Sequence, residues 1–192
     1  MTSMDPFDLR ERLRAALDGD PVPEPPPGTR LAGVLLPLVE GPAPSLIFTR
    51  RSEDLSRHAG EISFPGGLQH AEDRSLAETA LRETHEELGI APGAVEVLGA
   101  LPPVHTFVSA IVVVPFVGAL AEAPAITPNA AEIAEVLTYG LDELDRAEGT
   151  VEFPRGDHVY RGFAYEMGPN TIWGATARIL HDLLEVLRRV PT

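Results

Sequence analysis

Three glutamates on one turn of a predicted helix limit the possible structures and functions of this chain more than any other feature. Glu83, Glu86 and Glu87 stand at positions i, i+3 and i+4 of a segment whose apolar residues recur with helical spacing. Such positions share one stripe of a helix, with Cβ atoms about 5–6 Å apart. Their mutual repulsion is relieved by hard divalent cations such as Mg²⁺ or Mn²⁺, which prefer oxygen ligands. A solvated acidic face is the alternative interpretation.

A glycine-rich segment precedes this helix. The sequence Phe64-Pro65-Gly66-Gly67 lies near the end of an irregular stretch over 50–73. Loops of about 20 residues without secondary structure are uncommon in compact domains and are usually functional. A glycine backbone can approach a ligand closely or offer a carbonyl oxygen to a metal. Together with the helix predicted over 74–88, the segment indicates a site for a metal and a diphosphate.

Composition excludes several other kinds of site. The chain has no cysteine, which removes disulfides, thiolate metal sites and a cysteine nucleophile. Its net charge is −14, and since all 15 cations are arginine, no lysine is present to form a Schiff base. So acidic a chain is a poor general binder of nucleic acid or of anionic membranes. We therefore expect neither nucleic acid nor a membrane as partner.

The order of predicted elements indicates an α/β protein. Residues 1–29 are expected to form an amphipathic helix, capped by Asp5, and a proline-rich connector, and residues 30–192 the main domain. Within it, a final amphipathic helix is predicted over 171–189, and strands are predicted at 31–39, 45–49, 95–101, 108–120, 133–139 and 159–166. This order favours an α/β sandwich around a mixed sheet. The terminal helices suit either a monomer or a homodimer. We expect a cytoplasmic location, because the N-terminus has no apolar signal segment.

The glycine loop and acidic helix together resemble the Nudix box, Gly-x5-Glu-x7-Arg-Glu-U-x-Glu-Glu-x-Gly-U, in which U is apolar. Its second half is similar to Arg82-Glu83-Thr84-His85-Glu86-Glu87-Leu88-Gly89-Ile90. In the first half the spacing from Gly67 to Arg82 is one residue longer, and Asp73 lies near the position of the early glutamate. A loop lengthened in this way resembles the coenzyme A diphosphatase subgroup of the Nudix family.

An upstream stretch resembles the same subgroup more specifically. The subgroup carries a pattern similar to Leu-Leu-x-x-Arg-Ser-x-x-Leu-x-x-His-x-Gly-x-x-x-Phe-Pro-Gly-Gly. Residues 46–67 align with its Arg-Ser, Leu, His, Gly and Phe-Pro-Gly-Gly elements, with Glu61 at the usual position of a glutamine. Segments 101–105 and 172–180 also look like the subgroup, so the resemblance spans roughly residues 30 to 190.

This resemblance implies a Nudix-type α/β/α sandwich and a diphosphatase whose partner is a small-molecule nucleotide substrate. Such an enzyme hydrolyses coenzyme A or an acyl-coenzyme A to 4′-phosphopantetheine, or its acyl form, and adenosine 3′,5′-bisphosphate. By analogy Glu83, Glu86 and Glu87, with the Gly66 carbonyl, would hold Mg²⁺ or Mn²⁺, and Glu86 and Glu87 would act in catalysis.

Two further catalytic residues are implied by the same resemblance. Arg82 would pair with the glutamates and orient them. Glu132 resembles the acidic residue that precedes a late strand in Nudix proteins, and is the candidate for a catalytic role, as general base, or for a metal role; a surface loop glutamate is the alternative.

Arginines ahead of the box predict phosphate binding. Arg50, Arg51, Arg57 and His58 form a cationic cluster, and arginine can grip phosphate with two hydrogen bonds. With Gly67 they make up the predicted substrate site. Pairing of these cations with nearby carboxylates is the alternative.

Two other functions remain open from the sequence. The first is a Nudix diphosphatase for ADP-ribose or a dinucleotide, which an arginine cluster directed away from the cleft would favour. The second is a Nudix-like module that binds a ligand without turnover. The intact glutamate trio argues against the second function.

Overall fold

The computed structural model describes residues 6–19, 27–54, 58–106, 110–155 and 158–189. The helices in these ranges are α1 (Pro6–Ala16), α2 (Leu76–Leu88), α3 (Leu141–Arg146) and α4 (Gly174–Arg189). The strands are β1 (Arg30–Val39), β2 (Ser45–Arg51), β3 (Ile62–Ser63), β4 (Gly66–Leu68), β5 (Glu96–Ala100), β6 (Val104–His105), β7 (Ile111–Leu120), β8 (Ile133–Gly140), β9 (Glu148–Arg155), β10 (His158–Met167) and β11 (Asn170–Trp173). A short 3₁₀ helix covers Pro92–Ala94.

The strands form two sheets. The larger has the order β3-β2-β1-β7-β5, with β4 paired to β1, β6 to β7 and β8 to β2. Strand β1 runs parallel to β7, from Arg30 opposite Ile111 to Val39 opposite Leu120, and antiparallel to β2 and β4. The smaller sheet has the antiparallel order β11-β10-β9. The predicted mixed sheet is therefore confirmed.

Helices cover both faces of the larger sheet. Alternate residues of β1 point to opposite faces, so its apolar side chains are buried on both. Leu36 and Leu38 belong to one core with residues of α1 and α4, such as Leu13 and Leu180. Leu35 belongs to a second core, with Leu76 and Ala80 of α2. A strand buried on both faces needs a nearly continuous apolar sequence, which β1 has. The larger sheet with helices on both faces makes up an α/β/α sandwich.

Helix α2 lies unusually close to β1. A Cβ atom added at Gly33 would lie 2.3 Å from the carbonyl oxygen of Leu76, so only glycine allows this approach. The helix that carries the three glutamates is thereby fixed against the centre of the sheet.

Several boundaries differ from the predictions. The stretch over 50–73 contains β3 and β4, which are too short to show a periodic pattern. Residues 170–173 form β11, and the last helix starts at Gly174 rather than at 171. Helix α3 and strand β9 were not predicted. The predicted cap Asp5 and most of the proline-rich connector lie outside the described residues. Among the helices that the structure describes, none has the length and apolarity needed to cross a membrane.

Candidate active site

The ends of α2 are set by its own sequence. The Ser75 hydroxyl accepts a hydrogen bond from the backbone N–H of Glu78, and Gly89 adopts φ 72° after the last turn. The helix therefore starts two residues later than predicted and ends at the predicted glycine. Thr84 and Leu88 face the core, which turns Glu87 inward and leaves Glu86 exposed. The three glutamates thus lie along one stripe at three depths.

Glu87 is a buried carboxylate whose bonding is incomplete. The residue is 4% exposed, and its Oε2 atom has no hydrogen-bond partner. The backbone N–H of Gly66 donates to the carboxylate, and Nη1 of Arg51 lies 4.0 Å from Oε1. Burial raises the pKa of Glu87 to about 8, although the Arg51 charge acts in the opposite direction. A cation bound at this carboxylate would favour its ionised form against the cost of burial.

Glu83 lies directly over the glycine loop. A Cβ atom added at Gly67 would lie 2.4 Å from the carboxyl carbon of Glu83, so the missing side chain makes room for this carboxylate. Burial raises the pKa of Glu83, and the neighbouring Arg82 guanidinium partly offsets this effect. The glycine pair and the helix therefore contact each other at two successive residues of β4: Gly66 with Glu87, and Gly67 with Glu83.

The Arg82 guanidinium is surrounded by acceptors. Its nitrogens lie 3.0 Å from Glu83 Oε1 and 2.9 Å from Glu86 Oε2, and it also donates to the Leu68 carbonyl and to Asp73. The hydrogen bonds from Arg82 hold the pKa of Asp73 well below its usual range. The pairing of Arg82 with Glu83 and Glu86 agrees with the orienting role expected for it.

These carboxylates suit a hard divalent cation by their chemistry. Within the described ranges, no three Asp, Glu or His groups already converge on one point, since Arg82 draws the carboxylates of Glu83 and Glu86 toward itself. Three glutamates on one helix, one of them buried with an unpartnered oxygen, nevertheless match the all-oxygen ligands of Mg²⁺ and Mn²⁺. Metal binding by these glutamates and by the Gly66 carbonyl stays a prediction.

Glu132 approaches the same cluster from another element. It precedes β8, and its backbone carbonyl accepts a hydrogen bond of 2.7 Å from the Ser52 N–H. The Asn129 amide donates to its Oε1 at 3.2 Å, which orients the side chain. Its negative charge contributes to the raised pKa of Glu87, so the two carboxylates are close. The position suits the predicted base, and the role itself stays a prediction.

The predicted cationic cluster is divided by the fold. Arg50 donates to Glu135 at 2.9 Å and to Asn170 at 2.6 Å, toward the smaller sheet. Arg51 points the other way, toward Glu87, and its buried Nε has no hydrogen-bond partner. His58 is 2.9 Å from Glu61, the residue that replaces the usual glutamine. Arg57 lies outside the described residues. Phosphate binding by these side chains stays a prediction.

Two features were missed by the sequence analysis. Asp73, which the sequence placed only near the position of the early glutamate, anchors Arg82. An open pocket of about 420 Å³ lies beside the cluster, lined by Thr29, Arg30, Leu31, Leu68, Gln69 and His70. Its two halves are distant in sequence and meet only through the pairing of β1 with β4. The register of a two-strand contact has no local sequence signal here, so the pocket could not be found from the sequence.

Comparisons with known proteins add to this geometry. A model of the NUDIX domain matches residues 29–158. The protein called "Uncharacterized Nudix hydrolase NudL" from Pectobacterium atrosepticum is 43% identical over 157 residues, which are 80% of this chain and 81% of that protein. The crystal structure of RenU, a Nudix hydrolase from M. smegmatis, has a TM-score of 0.59 at 16% identity, covering 85% of this chain and 88% of that one. The NUDIX domain of Shewanella oneidensis NrtR, solved with ADP ribose, has a TM-score of 0.50 at 20% identity, covering 66% and 82%.

Proposed function

The chain belongs to the Nudix family of hydrolases that act on diphosphate bonds, and from that premise we propose that it hydrolyses coenzyme A or an acyl-coenzyme A. The products would be 4′-phosphopantetheine, or its acyl form, and adenosine 3′,5′-bisphosphate. The substrate proposal is supported by residues 46–67, which resemble the coenzyme A subgroup and which fold against the glutamates of α2.

One observation carries the catalytic part of this proposal. Glu87 is a buried carboxylate with an unpartnered oxygen, held beside Arg51, Glu83 and Glu132. A purely structural glutamate at 4% exposure would be expected to have both oxygens hydrogen-bonded. An incompletely bonded carboxylate next to two others indicates a site built to receive a cation.

The residues of the site would have different roles in the reaction. Glu83, Glu86 and Glu87, with the Gly66 carbonyl, would hold Mg²⁺ or Mn²⁺, which supplies charge neutralisation at the diphosphate oxygens and activates water. Arg82 keeps the glutamates oriented through its hydrogen bonds.

Glu132 would accept the proton of the attacking water. The water oxygen forms the new bond to phosphorus, and the anhydride P–O bond breaks. The departing phosphate keeps that electron pair.

A second substrate class has one observation in its favour. Arg50 is held by Glu135 and Asn170, toward the smaller sheet, so one of the four cations expected at the phosphates is already paired. A substrate with fewer phosphates, such as ADP-ribose or a dinucleotide, needs fewer cations. The NUDIX domain of NrtR, which shares this fold, was solved with ADP ribose.

The proposal is tested by product identification. Purified protein is incubated with coenzyme A, acetyl-coenzyme A, ADP-ribose and NADH, each with Mg²⁺, with Mn²⁺ and with a chelator, and the products are identified by mass. Glu86→Gln is run in parallel, with the exposed Glu122→Gln as a matched control. Phosphopantetheine release that needs metal and Glu86 is expected. Cleavage of ADP-ribose or NADH alone would overturn the substrate, and no cleavage at all would favour a binding module.

A further inference from the structure

The open pocket at the paired ends of β1 and β4 has the size and the chemistry of a ligand site. Its volume of about 420 Å³ falls within the range of about 300–1,000 Å³ typical of small-molecule sites. The lining joins two apolar side chains, Leu31 and Leu68, to an arginine, an amide and an imidazole, from Arg30, Gln69 and His70. A nucleoside phosphate needs this mixture, since its base is flat and apolar with polar edges and its phosphate is anionic.

Strand register places this pocket next to the glutamates. Gly33 pairs with Gly67, over which Glu83 lies, and the Gln69 N–H donates to the Leu31 carbonyl at 3.0 Å. Continuing this antiparallel register puts Arg30 opposite His70. Arg30 is therefore three residues, or about 10 Å, along the strand from Gly33.

His70 joins the pocket to the glutamates directly. The imidazole lies close enough to Glu83 to act on the pKa of this carboxylate, in the direction opposite to burial. Strand β4 pairs only with β1 among the described strands, and on its other edge α2 occupies the Gly66 N–H, through Glu87, and the Leu68 carbonyl, through Arg82. The pocket opens at the end of this stretch, so a ligand held at Glu83 can reach Arg30 past His70.

Arg30 differs from most arginines of the site in its pairing. Arg50, Arg74 and Arg82 each form an ion pair with a carboxylate. Arg30 is exposed, and the described residues give its side chain no ion pair or hydrogen bond. In a protein of net charge −14, a guanidinium free of acidic partners at a pocket rim is suited to an anionic ligand.

We propose that this pocket binds the nucleoside end of the substrate, and that Arg30 contacts a phosphate on its ribose. The inference rests on the proposed function, because it takes the diphosphate to lie over the α2 glutamates. The two phosphorus atoms of a diphosphate share one bridging oxygen, so a phosphate at Arg30 is a third and separate group. Coenzyme A and its thioesters carry such a phosphate, whereas ADP-ribose does not. Arg30 is thus a specificity-determining residue.

The test measures binding of two nucleotides that differ by this one phosphate. Adenosine 3′,5′-bisphosphate and 5′-AMP are titrated by calorimetry, with Mg²⁺ present, into the unmodified protein, Arg30→Gln and Arg146→Gln. Arg146 is an exposed arginine on α3, which makes it a matched control for the loss of one charge. We expect Arg30→Gln to weaken the bisphosphate at least about tenfold and 5′-AMP hardly at all, since one charge-assisted contact is lost. We expect Arg146→Gln to change neither affinity.

The outcomes separate this inference from the proposed function. Equal affinity of the unmodified protein for the two nucleotides, or no binding of either, overturns the role of Arg30, as does an equal loss of both in Arg30→Gln. Thermal melting of each variant checks that it folds. The proposed function is judged separately by turnover: a protein that prefers the bisphosphate through Arg30 but cleaves no diphosphate keeps the subsite and loses the enzyme activity. If coenzyme A is cleaved, Arg30→Gln is expected to raise its KM and leave kcat nearly unchanged.

Discussion

Arg82 holds Asp73 through two hydrogen bonds, from Nε to Oδ1 at 3.0 Å and from Nη2 to Oδ2 at 3.1 Å. Asp73 belongs to the segment before α2, and Arg82 to the middle of that helix. The same guanidinium reaches Glu83 and Glu86. One arginine therefore ties the position of the glycine-rich segment to the orientation of two predicted metal ligands, so a change at Arg82 affects both.

Replacing Arg82 by lysine removes this geometry and keeps the charge. A lysine ammonium cannot form the two-pronged contact, so we expect Arg82→Lys to lower kcat or the affinity for Mg²⁺ by about 10- to 100-fold. Stability is expected to fall by about 1–3 kcal/mol, because buried Asp73 loses its partner. Enzyme kinetics over a Mg²⁺ titration and chemical denaturation measure the two effects. Arg74→Lys, at an exposed arginine paired with Glu78, is the matched control. Equal behaviour of the two variants would contradict the role of Arg82.

The local features of this site were predictable from the sequence and the long-range ones were not. Helical spacing placed Glu83, Glu86 and Glu87 on one stripe, whereas the approach of the preceding glycine pair to a ligand or a metal stays a prediction. The different burial of the three glutamates depends on how α2 packs on Gly33, which no local pattern contains. Arg50 and Arg51 likewise point in different directions because side chains alternate along β2 and because Arg50 pairs with Glu135 and Asn170. Arg30 meets His70 only through strand pairing.

The two adjacent glycines are expected to respond differently to alanine. At Gly67 the three atoms nearest to the added Cβ all belong to the Glu83 carboxylate, the end of a flexible side chain, so Gly67→Ala should fold with Glu83 displaced. We expect kcat to fall by about tenfold or more, since misplaced catalytic groups are costly. At Gly66 the Cβ would lie 2.5 Å from the Gly33 carbonyl oxygen, and φ is 157°, so Gly66→Ala should lose stability instead. Thermal melts and kinetics of both variants check this. A Gly67→Ala enzyme of full activity would count against Glu83 as a ligand.

Glu132 is tested by removing its charge without changing its shape. If it accepts the proton of water, Glu132→Gln should lower kcat by about 10²- to 10⁴-fold and leave KM and the affinity for Mg²⁺ nearly unchanged. A glutamate that only caps the turn before β8 would change stability and leave kcat nearly unaltered. Glu122→Gln, an exposed glutamate in the loop after β7, serves as control. A lowered kcat accompanied by an equal loss of Mg²⁺ affinity would assign Glu132 to positioning rather than proton transfer.

The stability of the metal-free protein should depend on pH through Glu87. Its pKa is about 8 in the folded state against a reference of 4.5, so the folded protein keeps a proton that the unfolded chain releases between these values. The free energy of unfolding therefore decreases as pH rises from about 4.5 to about 8. Glutamine at position 87 does not titrate, so it loses no stability over this pH range. In the presence of a chelator, Glu87→Gln should therefore be more stable than the unmodified protein at pH 8, by about 1–4 kcal/mol, but not at pH 4.5. Denaturation curves at the two pH values measure this, with Glu122→Gln expected to show no difference.

Saturating Mg²⁺ should reverse the order of the two stabilities at pH 8, because a cation that binds ionised Glu87 stabilises only the protein that has it. A Glu87→Gln protein equally stabilised by Mg²⁺ would show that the cation binds without this carboxylate.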